Sequence, residues 1–141
     1  MREAIGNTFI TNIVVVFMII MISFFVGSLS YSKAYKVKNR ILSIIESDGS
    51  WKNHSEEVDS ILKEYGYQVT RGTHTCECKK DNCRVLHDNT NNYEYCVFEY
   101  TDGADGIYYG VKTFMNFDIP VIGKYIKFGV YGETKTFNDF N

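Results

Sequence analysis

Proline appears once in the chain, as Pro120, and tryptophan once, as Trp51. No sign of charge dominates either, with 15 Lys and Arg against 17 Asp and Glu for a net charge of −2. That balance excludes a nucleic-acid-binding surface built on positive charge, and the lack of any low-complexity tract excludes a disordered tail. There is no internal repeat, no glycine-rich phosphate cradle and no paired histidine ligand set. The three histidines, His54, His74 and His87, fall in expected loops with no motif around them. His74 lies near Cys76, but nothing else completes a nucleophile arrangement, so a solvated loop histidine is the reading for each. Asp102-Gly103-Ala104-Asp105-Gly106 lacks the further oxygen ligands and distal Glu of a calcium loop and reads as a turn. The expectation is therefore no enzyme: no catalytic residue, no cofactor, no bound metal and no small-molecule substrate.

Charge is missing altogether from Phe9 to Leu29. At about 1.5 Å per residue, a helix of that length crosses the roughly 30 Å hydrocarbon core of a bilayer. A removable signal peptide has a basic start and a shorter apolar core. Here Arg2 is offset by Glu3 and the run is longer, so a retained anchor is expected, although Gly27, Ser28 and Ser30 would suit cleavage. Residues 1–30 are accordingly read as a transmembrane anchor and 31–141 as a helical extension plus one small domain.

Beyond the lipid run, Ala34, Val37, Ile41, Ile44 and Ile45 recur at spacings of three and four. They form one stripe of a helix, with Lys36, Lys38, Asn39, Arg40 and Ser43 around the rest. One continuous helix from about Glu3 to Ser47 is expected, ended at Asp48-Gly49-Ser50 with Gly49 in the left-handed cap position. Its apolar stripe must be covered by the rest of the domain or by another subunit, and it is assigned as the surface that packs on a partner. A second helix starts at Ser55 as cap, with Glu56 and Glu57 at its positive end and Val58, Ile61, Leu62 and Tyr65 on one face. Gly66 stops it.

The remainder alternates. A first strand is expected at Tyr67–Thr70, and a second at Tyr93–Thr101 with Tyr93, Tyr95, Val97 and Glu99 opposite Cys96, Phe98 and Tyr100. A third spans Ile107–Ile119, with Tyr109, Val111, Thr113 and Met115 opposite Tyr108, Lys112, Phe114 and Asn116. A last strand runs near Lys124 to Phe137. Helices first and antiparallel strands after them define an α+β fold with a sheet of about three or four strands.

Four cysteines, Cys76, Cys78, Cys83 and Cys96, all lie in the domain. An even count in a small domain beyond an anchor fits two disulfides in an oxidising compartment, with three pairings open. A bridge from the Cys76–Cys83 loop to Cys96 would close about 15–20 residues, worth on the order of 3 kcal/mol. A metal site drawing on these cysteines or His74 is the rival, but Cys-x-Cys is not the usual zinc spacing. Free thiols would follow if the domain faced the cytosol. Lys33, Lys36, Lys38 and Arg40 after the apolar run favour that cytosolic side, and the cysteines favour the other. An extracytoplasmic domain is adopted, with Lys33, Lys36 and Arg40 as a solvated face.

Met1-Arg-Glu-Ala-Ile-Gly6, the membrane run directly after it and Tyr31-Ser-Lys-Ala-Tyr-Lys-Val-Lys-Asn39 together resemble small TadE-like, pilin-like minor subunits of Gram-positive tight-adherence (Flp-type) pilus loci. Asp118-Ile-Pro-Val-Ile-Gly123 and Val130-Tyr-Gly-Glu-Thr-Lys135 resemble the end of that group. The resemblance implies a pilin-like fold, a single-pass subunit of a pilus or secretion apparatus, and partners in the membrane and among other pilus assembly subunits. Prepilins are cut after a Gly with a Glu five residues into the mature chain. A cut after Gly6 would put Thr11 there, so that processing is not expected. The alternative function is an anchored ligand-sensing or adhesive domain that binds through the Thr73–Asn92 loops.

Overall fold

A computed structural model describes residues 2–52, 54–67, 75–88, 93–103, 106–118 and 125–138, with side chains at 6–52, 54–67, 75–88, 93–103, 106–115 and 128–137. A single α-helix, α1, runs from Arg2 to Asp48 and, among the described residues, is the one helix long and apolar enough to cross a membrane by length and composition. With no proline in it, nothing removes a backbone donor along its course. Gly49 ends it at φ 69°, where a side chain would be strained, and its amide bonds back to the Ile45 carbonyl at 2.8 Å.

The second helix, α2 (Ser55–Glu64), carries Glu56 and Glu57 in its first turn and Lys63 in its last, each matched to the helix dipole. Its N-cap is His54 rather than the expected Ser55, and no side chain caps the free amides. Gly66 follows it at φ 60°.

The sheet consists of β1 (Cys83–His87), β2 (Tyr95–Asp102), β3 (Gly106–Asp118), β4 (Tyr125–Glu133) and β5 (Phe137–Asn138). The order is β1-β2-β3-β4, all antiparallel, and β5 pairs with the start of β3. Strand β1 falls where loop was expected, because its pairing with β2 rather than its own pattern makes it a strand. The expected final strand is two strands. Thr134 interrupts it, its amide donating to the Tyr109 carbonyl at 2.8 Å and its Oγ1 accepting from the Tyr109 amide at 3.0 Å. Of the strand expected at Tyr67–Thr70, only Tyr67 belongs to the described residues, and it is not in a strand.

Alternation in β2 and β3 sorts their side chains as the pattern requires. Tyr95, Val97, Tyr109 and Val111 face the helices and join Val37, Ile41, Ile44, Ile45, Trp51, Val58, Leu62 and Tyr67 in the main core. The opposite face gathers Cys96, Phe98, Tyr100 and Phe114. Ala34, Val37, Ile41 and Ile45 are at most 1% exposed and Ile44 is 7% exposed. The assignment of this stripe to a partner is therefore corrected: it is taken up by the chain's own sheet. Burying each large aliphatic there contributes roughly 1.5–3 kcal/mol, which a monomer obtains only by folding β3 and β4 onto the helix. Thr113 fixes the approach. Fully buried, its Oγ1 donates to the Ala34 carbonyl at 3.0 Å, and the small Ala34 side chain leaves room for that contact.

Candidate interaction surface

With the helix stripe occupied, the surfaces left for function are the outer sheet face, the far end of the domain and the turns just beyond the apolar run. Two disulfides brace the outer face, Cys76–Cys96 and Cys78–Cys83. Cys96 sits in β2 on the side away from the helix, completely buried, so the first bridge ties the segment before β1 to the sheet centre. All four sulfurs are bonded in pairs, so no thiolate remains for a metal. Asp88 lies beside Cys76 and Cys96 and accepts from the Cys76 amide at 3.3 Å. His74 and Asp105 lie outside the described residues.

Beside the bridges is a tyrosine–lysine network. Tyr100 and Tyr108 stack with ring centroids 4.9 Å apart, and Lys80 Nζ lies 5.0 Å over the Tyr100 ring. Lys80 also donates to the Tyr108 hydroxyl at 3.0 Å, which raises its pKa above the ordinary value. The Tyr131 hydroxyl donates to Glu133 Oε1 at 2.8 Å and lies 3.2 Å from the Tyr100 hydroxyl. Gly110 makes this possible: a methyl there would come within 2.5 Å of the Tyr131 hydroxyl and 2.8 Å of Tyr100 Cε2. Tyr131 remains exposed on this outer face of β4, while Phe128, opposite Met115, is exposed on the helix-facing side. Tyrosine and phenylalanine held rigid on a sheet are the side chains that anchor protein interfaces.

At the far end of the domain, His87 is not the solvated loop residue expected. The register slips between Val85 and His87, which turns the imidazole onto Tyr95 at 4.2 Å, nearly parallel, with Trp51 edge-on at 5.7 Å. Its Nε2 is buried and meets no hydrogen-bond partner among the described residues. Burial lowers the His87 pKa against the pull of Asp59 and Asp88, while burial and then Asp59 raise that of Tyr95. His54 departs from expectation too. It sits between Asp48 (2.9 Å) and Glu57 (3.2 Å), joining the end of α1 to α2. Tyr67 is the other internal hub. Its hydroxyl lies 2.7 Å from the Glu94 carbonyl and 2.8 Å from that of Phe114, and accepts from the Phe114 amide at 2.8 Å. Burial drives its pKa up.

Just beyond the apolar run, Tyr31 and Tyr35 stack at 6.2 Å and Lys38 Nζ lies 4.3 Å over the Tyr35 ring. Lys33, Lys36 and Arg40 are exposed. Lys38 is not: its stem passes along Gly132, and it is 8% exposed. Aromatic rings and lysines at this level are the side chains that suit a membrane–water interface. Compared with known proteins, the chain matches no family model, no curated protein and no solved structure.

Proposed function

We propose that the protein is a single-pass, membrane-anchored, pilin-like subunit of a tight-adherence (Flp-type) pilus or secretion apparatus, and that it works by packing and not by catalysis. The observation that carries this reading is the one helix shared between anchor and domain: apolar and exposed in its first half, seated on an antiparallel sheet in its second. Storage in the bilayer and presentation of a rigid sheet face are what an assembly subunit needs. The two disulfides support an extracytoplasmic domain, since cystines persist on the oxidising side.

The docking surface in this reading is the outer face around Tyr131, in place of the buried helix stripe. Affinity purification of the tagged full chain from its native membranes should recover pilus or secretion subunits, and Tyr131→Asp should lose them while staying in the membrane fraction. A wild-type chain that recovers no such subunit refutes the proposal. A second reading, an anchored adhesive or sensing domain, draws on the loop closed by Cys78–Cys83. Replacing Lys79 and Asp81, both exposed in that loop, would abolish ligand response in a sensor and leave subunit recovery intact in an assembly protein.

A further inference from the structure

Contacts between α1 and the sheet give the direction of the strands. Gly132, paired with Val111, lies against the Lys38 and Leu42 side chains, and Thr113 reaches the Ala34 carbonyl. Moving along β3 from Val111 to Thr113 therefore moves down the helix, from its carboxyl-terminal half toward the apolar run. Yet the ladder does not stop there. Strands β3 and β4 stay paired through Met115↔Phe128, Phe117↔Ile126 and Asp118↔Tyr125, whereas β2 ends opposite Thr113.

Asp118 is five residues past Thr113, about 16 Å at ~3.3 Å per residue, which equals roughly eleven helix residues at ~1.5 Å each. Even with the strands inclined by about 40° to the helix, roughly 12 Å remain, and the paired ends fall level with residues 23–26. That level lies within Phe9–Leu29. The helix itself bears an independent mark of this. Ile19, Ser23, Val26, Gly27 and Ser30 are half-buried and continue the core stripe of Ala34, Val37 and Ile41, while Ile20, Ile22, Phe24, Phe25 and Leu29 are all more than half exposed. Ser23, Gly27 and Ser30 keep that side of the helix narrow, which allows another backbone to come close.

We propose that the paired ends of β3 and β4 are a second membrane contact, lying at the boundary between headgroups and acyl chains of the bilayer that α1 crosses, about one to two helix turns inside Leu29. The occupant is lipid because the paired ends come level with the apolar run of α1, on the side where Phe128 is exposed. The depth follows from the backbone. Past Thr113 β2 no longer pairs with β3, and among the described residues that edge of the ribbon meets only the Tyr67 hydroxyl, at Phe114; the remaining edge amides and carbonyls need water or headgroups and cannot enter hydrocarbon unpaired. Phe128, 54% exposed and about two residues past the Ala34 level, sits where an aromatic ring belongs in an interfacial contact.

The proposal rests on the anchor reading, and the test separates the two. Trp51, the one tryptophan, lies beyond the far end of α1 and serves as an internal control. Full-length wild-type, Phe128→Trp and Tyr125→Trp chains, with disulfides intact, are reconstituted in phosphatidylcholine vesicles with and without bromine on the acyl chains near the headgroup. Both variants should lose the added emission in brominated vesicles, whereas wild-type emission should not change. Flotation with the vesicles but no quenching in either variant, as when a second copy covers this face instead, overturns the hairpin contact and leaves the anchor standing. Failure to float overturns both. A variant whose Trp51 emission shifts is replaced by the other, so that one correctly folded reporter decides.

Discussion

Removing Cys76–Cys96 should cost the domain far more than removing Cys78–Cys83. The two bridges close loops of very different size, with sequence separations of 20 and 5. In the chain-entropy picture those loops correspond to about 3 and about 2 kcal/mol. Burial widens the gap. Cys96 is completely buried against Phe98, Tyr100 and Phe114, so deleting its sulfur leaves a small cavity worth about 1 kcal/mol more. Cys78 is exposed and loses nothing of that kind. The Cys76→Ala/Cys96→Ala pair should therefore lose about 4 kcal/mol and the Cys78→Ala/Cys83→Ala pair about 2, against a typical domain stability of about 5–15. Urea unfolding of the full chain in detergent micelles, followed by near-ultraviolet circular dichroism, reads the domain while the anchor stays helical. Equal losses, or a larger loss for the Cys78–Cys83 pair, would refute the ranking and the place given to Cys96.

Two further outcomes follow from the core. Ile41→Glu places an unpaired charge at a site 1% exposed, so it should unfold the domain, a loss of more than about 4 kcal/mol, and not merely weaken a partner contact. Circular dichroism that stays native would show the stripe is free after all. For His87, burial lowers the folded pKa while the unfolded value stays near about 6.5, so the unfolded chain binds the proton more readily. Stability should then rise with pH between the folded pKa and about 6.5, by at most about 1.4 kcal/mol per pH unit, and fall as pH drops through that window. The groups that face the ring are Trp51, Tyr95, Asp59 and Asp88, and the two acids only moderate the shift. His87→Phe keeps the stack on Tyr95 and should flatten that part of the urea-midpoint profile; an unchanged slope would place the titration elsewhere.

Local pattern carried much of this architecture. The spacing of Ala34, Val37, Ile41, Ile44 and Ile45 marked the buried side of α1 because helical geometry alone puts them in line. Gly49 and Gly66 marked helix ends because both take φ values that other residues resist. The alternation of β2 and β3 was equally legible, since each strand is covered on both faces by different neighbours. What local pattern could not give was set by distant residues. Cys83-Arg-Val-Leu-His87 has little alternation, and it is a strand because β2 offers it an edge. The burial of His87 depends on Trp51 and Tyr95, far away in the chain, and on a slip of one register position. The partner of the helix stripe was also invisible, since a sheet of the same chain and a second subunit present the same apolar surface to it. Nor does any local signal mark the outer tyrosine network, which needs Gly110 on one strand and Tyr131 on the next.

In the proposed anchored arrangement α1 is at once the anchor and a wall of the core, and no flexible joint separates the domain from the bilayer among the described residues. The domain cannot swivel on its stalk, so its height and compass bearing above the lipid are set by how the helix sits in it. A protease would find no tether to cut between Leu29 and Asp48, only hydrogen-bonded helix. Force applied to the sheet would pass straight down the helix axis into the membrane, and release of the domain would require drawing the anchor out of lipid or tearing the core apart.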